Sequence, residues 1–172
     1  MNLLNELLML RESVGKNLLG LTINDKKITE KTKDEKWTGD FICSSNKLTS
    51  LEYCPSEVGG DFSCFNNKLT SLEHCPSEVG EDFLCSSNKL KDLHNIHKQL
   101  KKMNGGFYVD KNPIESSVLG LLLIPGCKEV ILDNEQVEEI LNRYLPNTRG
   151  QRAVVECQSE LIDADLEDFA HL

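Results

Sequence analysis

The sequence lacks the residue spacings that mark common enzyme sites. It contains no His-Glu-x-x-His, no Gly-x-Gly-x-x-Gly, no Gly-x-Ser-x-Gly and no Gly-rich loop ending in Gly-Lys-Ser or Gly-Lys-Thr. Cys-x-x-Cys is also missing, which removes the commonest zinc and dithiol redox spacing. These absences argue against the metalloprotease, nucleotide-binding and serine hydrolase classes. We therefore expect no catalytic residues, no metal and no cofactor.

Positive charge and long apolar stretches are scarce. The chain has 19 Lys and Arg against 28 Asp and Glu, which gives a formal net charge of -9. Nucleic-acid binders concentrate Lys and Arg on one face, so this balance argues against nucleic acid and favours a protein partner with a basic patch. No apolar run reaches the ~18 residues that suggest a membrane span. We expect no membrane partner.

The cysteines also lack the arrangement of a secreted disulfide scaffold. Their number is seven, which is odd, and five recur at a fixed period instead of in paired clusters. Glu6 places an acid where a secretory signal would carry basic residues. The sequence therefore predicts a cytoplasmic protein. Its 172 residues, 39% of them hydrophobic, suffice for the core of one domain.

What the chain does contain is an internal repeat. Residues 39–59 read Gly-Asp-Phe-Ile-Cys-Ser-Ser-Asn-Lys-Leu-Thr-Ser-Leu-Glu-Tyr-Cys-Pro-Ser-Glu-Val-Gly, and residues 60–80 repeat them with few changes. The period is 21 residues, counted from Phe41 to Phe62. A third copy begins at Glu81 and drifts, and a fourth is visible from Gly106. Such a period is typical of a solenoid, in which each copy is one turn of the coil.

Each copy carries the pattern apolar-x-apolar-x-x-Asn-x-apolar. In the second copy the pattern falls on Phe62, Cys64, Asn67 and Leu69. The pattern predicts a short strand whose alternate side chains point into the coil, followed by an Asn amide that bonds backbone groups left unpaired by the turn. With weaker copies at both ends, strands are predicted near residues 21–23, 41–43, 62–64, 83–85, 107–109 and 130–132.

This signature resembles bacterial leucine-rich-repeat proteins with short repeats, and the near-identical copies are similar to repeat proteins of tailed bacteriophages. The resemblance covers roughly residues 21–133. It implies an α/β solenoid with a short parallel β-sheet on the concave face and irregular convex turns, here containing Cys54-Pro55 and Cys75-Pro76. It implies function only weakly, because leucine-rich repeats serve many partners.

A solenoid needs its two ends covered, and helical patterns flank the repeats. Residues 2–19 place apolar side chains at helical intervals, which predicts an N-terminal helical cap over 1–20. Residues 135–145 repeat that pattern after Asp133, a candidate N-cap, and Pro146 ends it. A second helix is predicted from about Arg152 to Ala170, so that 134–172 forms a C-terminal two-helix cap.

If Phe and Cys point inward, the residues between and beside them form the concave face. That face combines acids along one edge with apolar or aromatic groups at its centre, which favours a noncatalytic protein-protein interaction module, directed at a host protein if the chain is phage-encoded. The same Asp residues could instead solvate the strand edge or bond backbone in the preceding turn. The predicted partner-binding residues are Asp40, Ile42, Ser44, Asp61, Ser63, Phe65, Asp82, Leu84, Ser86, Tyr108, Asp110 and Ile131.

Two alternatives from other functional classes remain open. Some leucine-rich-repeat effectors carry a ubiquitin-ligase domain with a catalytic cysteine, and Cys157 lies outside the repeats in a predicted helix. About forty residues are few for such a domain, and no neighbouring base follows the cysteine. The second alternative is an acidic decoy that imitates nucleic acid. The ladder of Cys43, Cys64 and Cys85 is interpreted as core packing, because cysteine behaves as a small buried hydrophobe.

Overall fold

The computed structural model describes residues 16–145 and 151–172, and within them the chain forms a parallel β-solenoid of five turns with few helices. The predicted N-terminal cap lies mostly outside the described residues, and its described end, 16–20, is not helical. No helix within the described ranges is both long and apolar enough to cross a bilayer. The strands are β1 Thr22–Ile23, β2 Lys26–Lys27, β3 Lys36–Trp37, β4 Phe41–Ile42, β5 Glu57–Val58, β6 Phe62–Ser63, β7 Glu78–Val79, β8 Phe83–Leu84, β9 Gly106–Tyr108 and β10 Glu129–Ile131.

The main sheet contains one strand from each turn, in the order β10-β9-β8-β6-β4, and all its pairs are parallel. The repeats stack in register, so that Phe41, Phe62, Phe83 and Phe107 occupy equivalent positions and are fully buried. The ring centroids of Phe62 and Phe83 lie 4.9 Å apart. The inward position predicted for these aromatic side chains is confirmed, and one hydrophobic core runs the length of the coil.

The repeated asparagines bond backbone groups of the turns, as the pattern predicts. The Asn67 Nδ2 donates to the carbonyl oxygens of Cys43, at 3.1 Å, and Cys64, at 3.0 Å. Its Oδ1 accepts from the backbone N–H groups of Asn46, at 3.0 Å, and Leu48, at 2.9 Å. Asn88 and Asn112 likewise donate to two carbonyls, one and two turns on, and their Oδ1 atoms accept from the N–H groups of Leu69 and Leu90. Each buried amide thus joins two successive turns of the backbone.

The sequence predicted irregular turns between the main strands. In the structure, part of these connections is a regular β-sheet. Residues just before three of the main strands, β4, β6 and β8, form a second parallel sheet in the order β3-β5-β7, with Trp37, Val58 and Val79 in register. Its strands approach closely at the glycines that follow them. A Cβ added to Gly80 would lie 2.0 Å from the carbonyl oxygen of Gly59, so this position admits no side chain. The Val-Gly pair therefore marks a second sheet and not a loop.

The strand predicted at 21–23 does not join the solenoid sheet. Strand β1 pairs antiparallel with β2 instead. The reason is local: Asn24 and Asp25 both have positive φ, 47° and 62°, which is the backbone of a two-residue hairpin turn, and Asn and Asp tolerate it. The next residue, Lys26, stands where the repeat needs an Asn amide. A hairpin thus precedes the first complete turn.

Three helices are described: α1 Ile96–Gln99, α2 Glu135–Tyr144 and α3 Gln151–Asp163. Helix α2 begins at Glu135, as predicted, but its N-cap is Asn134 and not Asp133, because the Asn134 side chain accepts the cap hydrogen bond from the Val137 N–H. The amide of Asn142 lies against the free edge of β10, where it accepts from the Val130 N–H and donates to the Val130 carbonyl, both at 2.8 Å. Helix α3 ends at Asp163, well before the predicted end at residue 170, and a short 3-10 turn, Glu167–Phe169, follows.

Candidate recognition face of the main sheet

The outward side of the main sheet presents three rows of side chains, which we call the sheet face. The N-terminal row precedes the buried Phe position of each turn, the central row follows it, and the C-terminal row lies two residues further on. The N-terminal row contains Asp40, Asp61, Asp82, Gly106 and Glu129; the central row contains Ile42, Ser63, Leu84, Tyr108 and Ile131; the C-terminal row contains Ser44, Phe65, Ser86, Asp110 and Asp133. All twelve residues predicted from the sequence fall within these rows.

The apolar part of the sheet face is open to solvent at two points. Ile42 is 52% exposed and Phe65 is 44% exposed. Leu84, Tyr108 and Ile131 are half-buried. These side chains have no packing role inside the coil, since Phe and Cys fill that space.

Ser63 was predicted to be exposed on this face, but the structure buries its side chain. It is only 4% exposed, because it is the smallest side chain of its row and lies in register between Ile42 and Leu84. Its hydroxyl lies 2.8 Å from that of Ser44 in a hydrogen bond. The central row therefore has a low point flanked by two taller apolar side chains.

The aspartates of the N-terminal row bond the backbone of the following turn. Asp40 Oδ1 accepts from the Asp61 N–H at 3.0 Å, and Asp61 Oδ1 accepts from the Asp82 N–H at 3.0 Å. Asp82 Oδ1 accepts from the Gly106 N–H at 2.7 Å. These carboxylates thus help to hold successive turns of the coil together. This agrees with the alternative interpretation of the acidic edge, in which the Asp residues bond backbone groups. Each makes this bond with one oxygen of its carboxylate.

Glu129 belongs to the same row and was missed by the sequence analysis. The Tyr108 hydroxyl donates to Glu129 Oε1 at 2.7 Å, and this bond, together with partial burial, raises the pKa of Tyr108 to about 12. The tyrosine is therefore neutral and its ring is held over the sheet. Glu129 immediately precedes Val130, the register equivalent of the Phe residues, and that spacing could have identified it.

The sheet face carries strong negative charge. Of its fifteen positions, six are acids and none is Lys or Arg. At the C-terminal row, Asp110 accepts from the Ser86 hydroxyl, and Asp133 Oδ2 accepts from the Lys111 N–H at 2.8 Å. The Lys111 ammonium, just outside the rows, lies 3.8 Å from Asp110. The face as a whole suits a partner that supplies both apolar and cationic groups.

A groove along the second sheet is another concave feature of the repeats, and its charges are balanced. It contains the register column Lys36, Glu57, Glu78 and Lys102. Lys36 and Glu57 form an ion pair at 2.8 Å, and the carboxylate raises the pKa of the lysine. Because the column holds two positive and two negative groups, this groove has no net charge along it and offers a partner less unsatisfied charge than the sheet face does.

The cysteines are poor candidates for chemistry. All seven are free and buried. Cys157 is 0% exposed; burial and the nearby Glu160 raise its pKa to about 12, although Arg143 acts in the opposite direction. Cys43 is similarly shifted to about 12 by burial. Thiols of this kind are not thiolates at neutral pH. Among residues 16–145 and 151–172, no group of three or more His, Cys, Asp or Glu is arranged to hold a metal ion.

Comparison of the chain with protein-family models, with curated proteins and with solved structures found no match. The function is therefore argued from the sheet face itself.

Proposed function

We propose that this chain is a noncatalytic protein-binding module that recognises its partner through the sheet face. The observation that carries the proposal is the exposure of Ile42, in the central row, and Phe65, in the C-terminal row, on a surface that carries six acids and no Lys or Arg. Burial of such side chains supplies affinity, and surrounding charge speeds the encounter and selects the partner. The proposed partner is a protein with a basic patch, met in a reducing compartment such as the cytoplasm.

We further propose that the solenoid is of the leucine-rich-repeat type and that its C-terminal helices close it. The in-register strands and the buried Asn67 ladder support the first point. The second is supported by Asn142, whose amide pairs with both backbone groups of Val130 at the sheet edge. The likeness to phage repeat proteins favours a phage-encoded chain directed at a host protein.

The two alternatives fit the structure less well. A ligase would use Cys157, but that thiol is buried and its pKa is raised to about 12. A nucleic-acid decoy would need a surface of carboxylates spaced like phosphates, and here apolar Leu84 and Ile131 occupy the centre of the charged face. A decoy also predicts that binding disappears at high salt, whereas burial of apolar groups retains part of the affinity.

Photo-cross-linking tests the proposal directly. A benzophenone amino acid is placed at position 65 and, as a matched control, at Val155, which is 62% exposed on α3. In extracts of the cells that contain the protein, position 65 is expected to give a discrete adduct that position 155 does not give. The adduct protein is then purified, and its affinity is expected to fall on Phe65→Ala but not on Val155→Ala. Equal adducts from both positions, or equal affinities of the two variants, would refute the proposal.

A further inference from the structure

The sheet face offers an occupant no backbone groups with which to pair. The strands of the main sheet use theirs on each other, as in the bonds from Cys43 N–H to the Ser63 carbonyl and from Cys64 N–H to the Leu84 carbonyl, both 2.8 Å. An extended segment lying on this face would leave its own N–H and C=O groups unpaired against apolar side chains, which is costly. The occupant must therefore satisfy its backbone internally, and an α-helix does so.

The spacing of the rows fits a helix laid across the strands. The central row from Ile42 to Ile131 spans four strand spacings, or ~19 Å. A helix covers that distance with ~13 residues at ~1.5 Å each, and its turns, ~5.4 Å apart, nearly match the strand spacing of ~4.8 Å. The N-terminal and C-terminal rows are four residues apart, or ~13 Å, which accommodates a helix ~10–12 Å wide.

The charges specify the helix further. Asp40, Asp61 and Asp82 border one side of the central row, and Asp110 and Asp133 border the other side at the opposite end. A helix in this position would place the flanks of its apolar stripe next to carboxylates. Lys or Arg on those flanks would find partners, whereas Asp or Glu would be repelled.

We propose that the sheet face binds a basic amphipathic helix of about three to four turns that lies across the strands. This inference rests on the proposed function and adds the partner's form and charge. One large apolar side chain of the helix packs against Ile42 and Leu84, which flank the buried Ser63 in register. The remaining stripe packs on Tyr108 and Ile131.

The probe for a test is a fluorescent peptide of about 14 Leu and Lys residues whose leucines form one helical stripe. The control peptide has the same composition in an order that spreads the leucines around the helix. Fluorescence anisotropy is expected to show at least about tenfold tighter binding of the striped peptide. Ile42→Ser and Leu84→Ser should each weaken that binding by about tenfold, while Val155→Ser leaves it unchanged. Urea midpoints near that of the parent verify that the variants fold.

Equal binding of the two peptides would overturn the inference, because net charge alone would then explain the affinity. So would equal effects of Val155→Ser and Leu84→Ser. The outcome is separable from that of the proposed function. If the striped peptide fails to bind while the cross-link at position 65 persists, the helix is wrong and the sheet face still binds a partner. If the cross-link also fails, both proposals are wrong.

Discussion

Replacement of one buried asparagine provides a quantitative test of the stacking. In Asn67→Ala the amide is lost, and the backbone N–H groups of Asn46 and Leu48 lose its Oδ1 as acceptor. The two carbonyls that Asn67 serves are less affected. The Cys43 oxygen still accepts from the Asn46 side chain at 3.2 Å, and the Cys64 oxygen from the Asn88 side chain at 3.1 Å.

The magnitude follows from these two unpaired N–H groups. A buried donor left without an acceptor costs about 1–3 kcal/mol, which applies in full to the buried Leu48 N–H, and the part-buried Asn46 N–H adds a smaller cost. Domains of this size have a free energy of unfolding of about 5–15 kcal/mol. Asn67→Ala is therefore expected to remove a large fraction of the stability, although the residue bears no charge and touches no proposed partner.

Urea denaturation followed by circular dichroism measures the effect. The matched control is Lys68→Ala, one residue along the chain and exposed, which should change the free energy of unfolding by less than about 0.5 kcal/mol. A cost below about 1 kcal/mol for Asn67→Ala, with an unchanged urea slope, would refute the reasoning, since the amide could not then be joining two turns of backbone.

Two further predictions concern the end of the coil and the helix α1. Asn142→Ala should lower the free energy of unfolding by about 1–3 kcal/mol, because both backbone groups of Val130 lose a partner. The control, Glu139→Ala on the exposed side of α2, should not lower it. Urea denaturation midpoints compare the two variants. Burial and nearby lysines lower the pKa of His97, whose Nδ1 has no partner in the described residues, so the unfolded chain takes up a proton near pH ~6.5 while the folded chain does not. The free energy of unfolding should fall as the pH drops below ~6.5 toward the folded pKa of His97, and His97→Gln should weaken this pH dependence. Urea denaturation of both proteins at neutral pH and at about pH 5.5 measures the difference. An identical pH dependence in the variant would contradict the role given to His97.

The repeat itself made much of the fold predictable. Because Phe41 and Phe62 recur at one period with an Asn at a fixed distance after each, the inward face and the register could be predicted from the sequence. Alternation in a strand then fixed which side chains face outward, and Ile42 and Phe65 are indeed exposed. These features depend only on the spacing of residue types along the chain, which can be read from the sequence.

The features that were missed depend on what neighbouring turns place together. Residues 22–27 form a hairpin instead of a repeat strand, because Asn24 and Asp25 adopt the positive φ angles of a two-residue turn. The second sheet follows from the close approach of Gly59 and Gly80, which a pattern of apolar residues does not reveal. The burial of Ser63 reflects the height of its neighbours on two other strands, which only the packed structure shows.

Thiol labelling of Phe65→Cys tests most directly the alternation on which both core and sheet face depend. Position 65 faces solvent, whereas the adjacent Cys64 and the other native thiols are buried, with pKa values raised by burial. With a water-soluble maleimide at neutral pH, the folded variant is expected to acquire one label at position 65, and the parent none until urea unfolds it. Rapid labelling of Cys64 in the folded parent, or protection of a cysteine at position 65, would contradict the account.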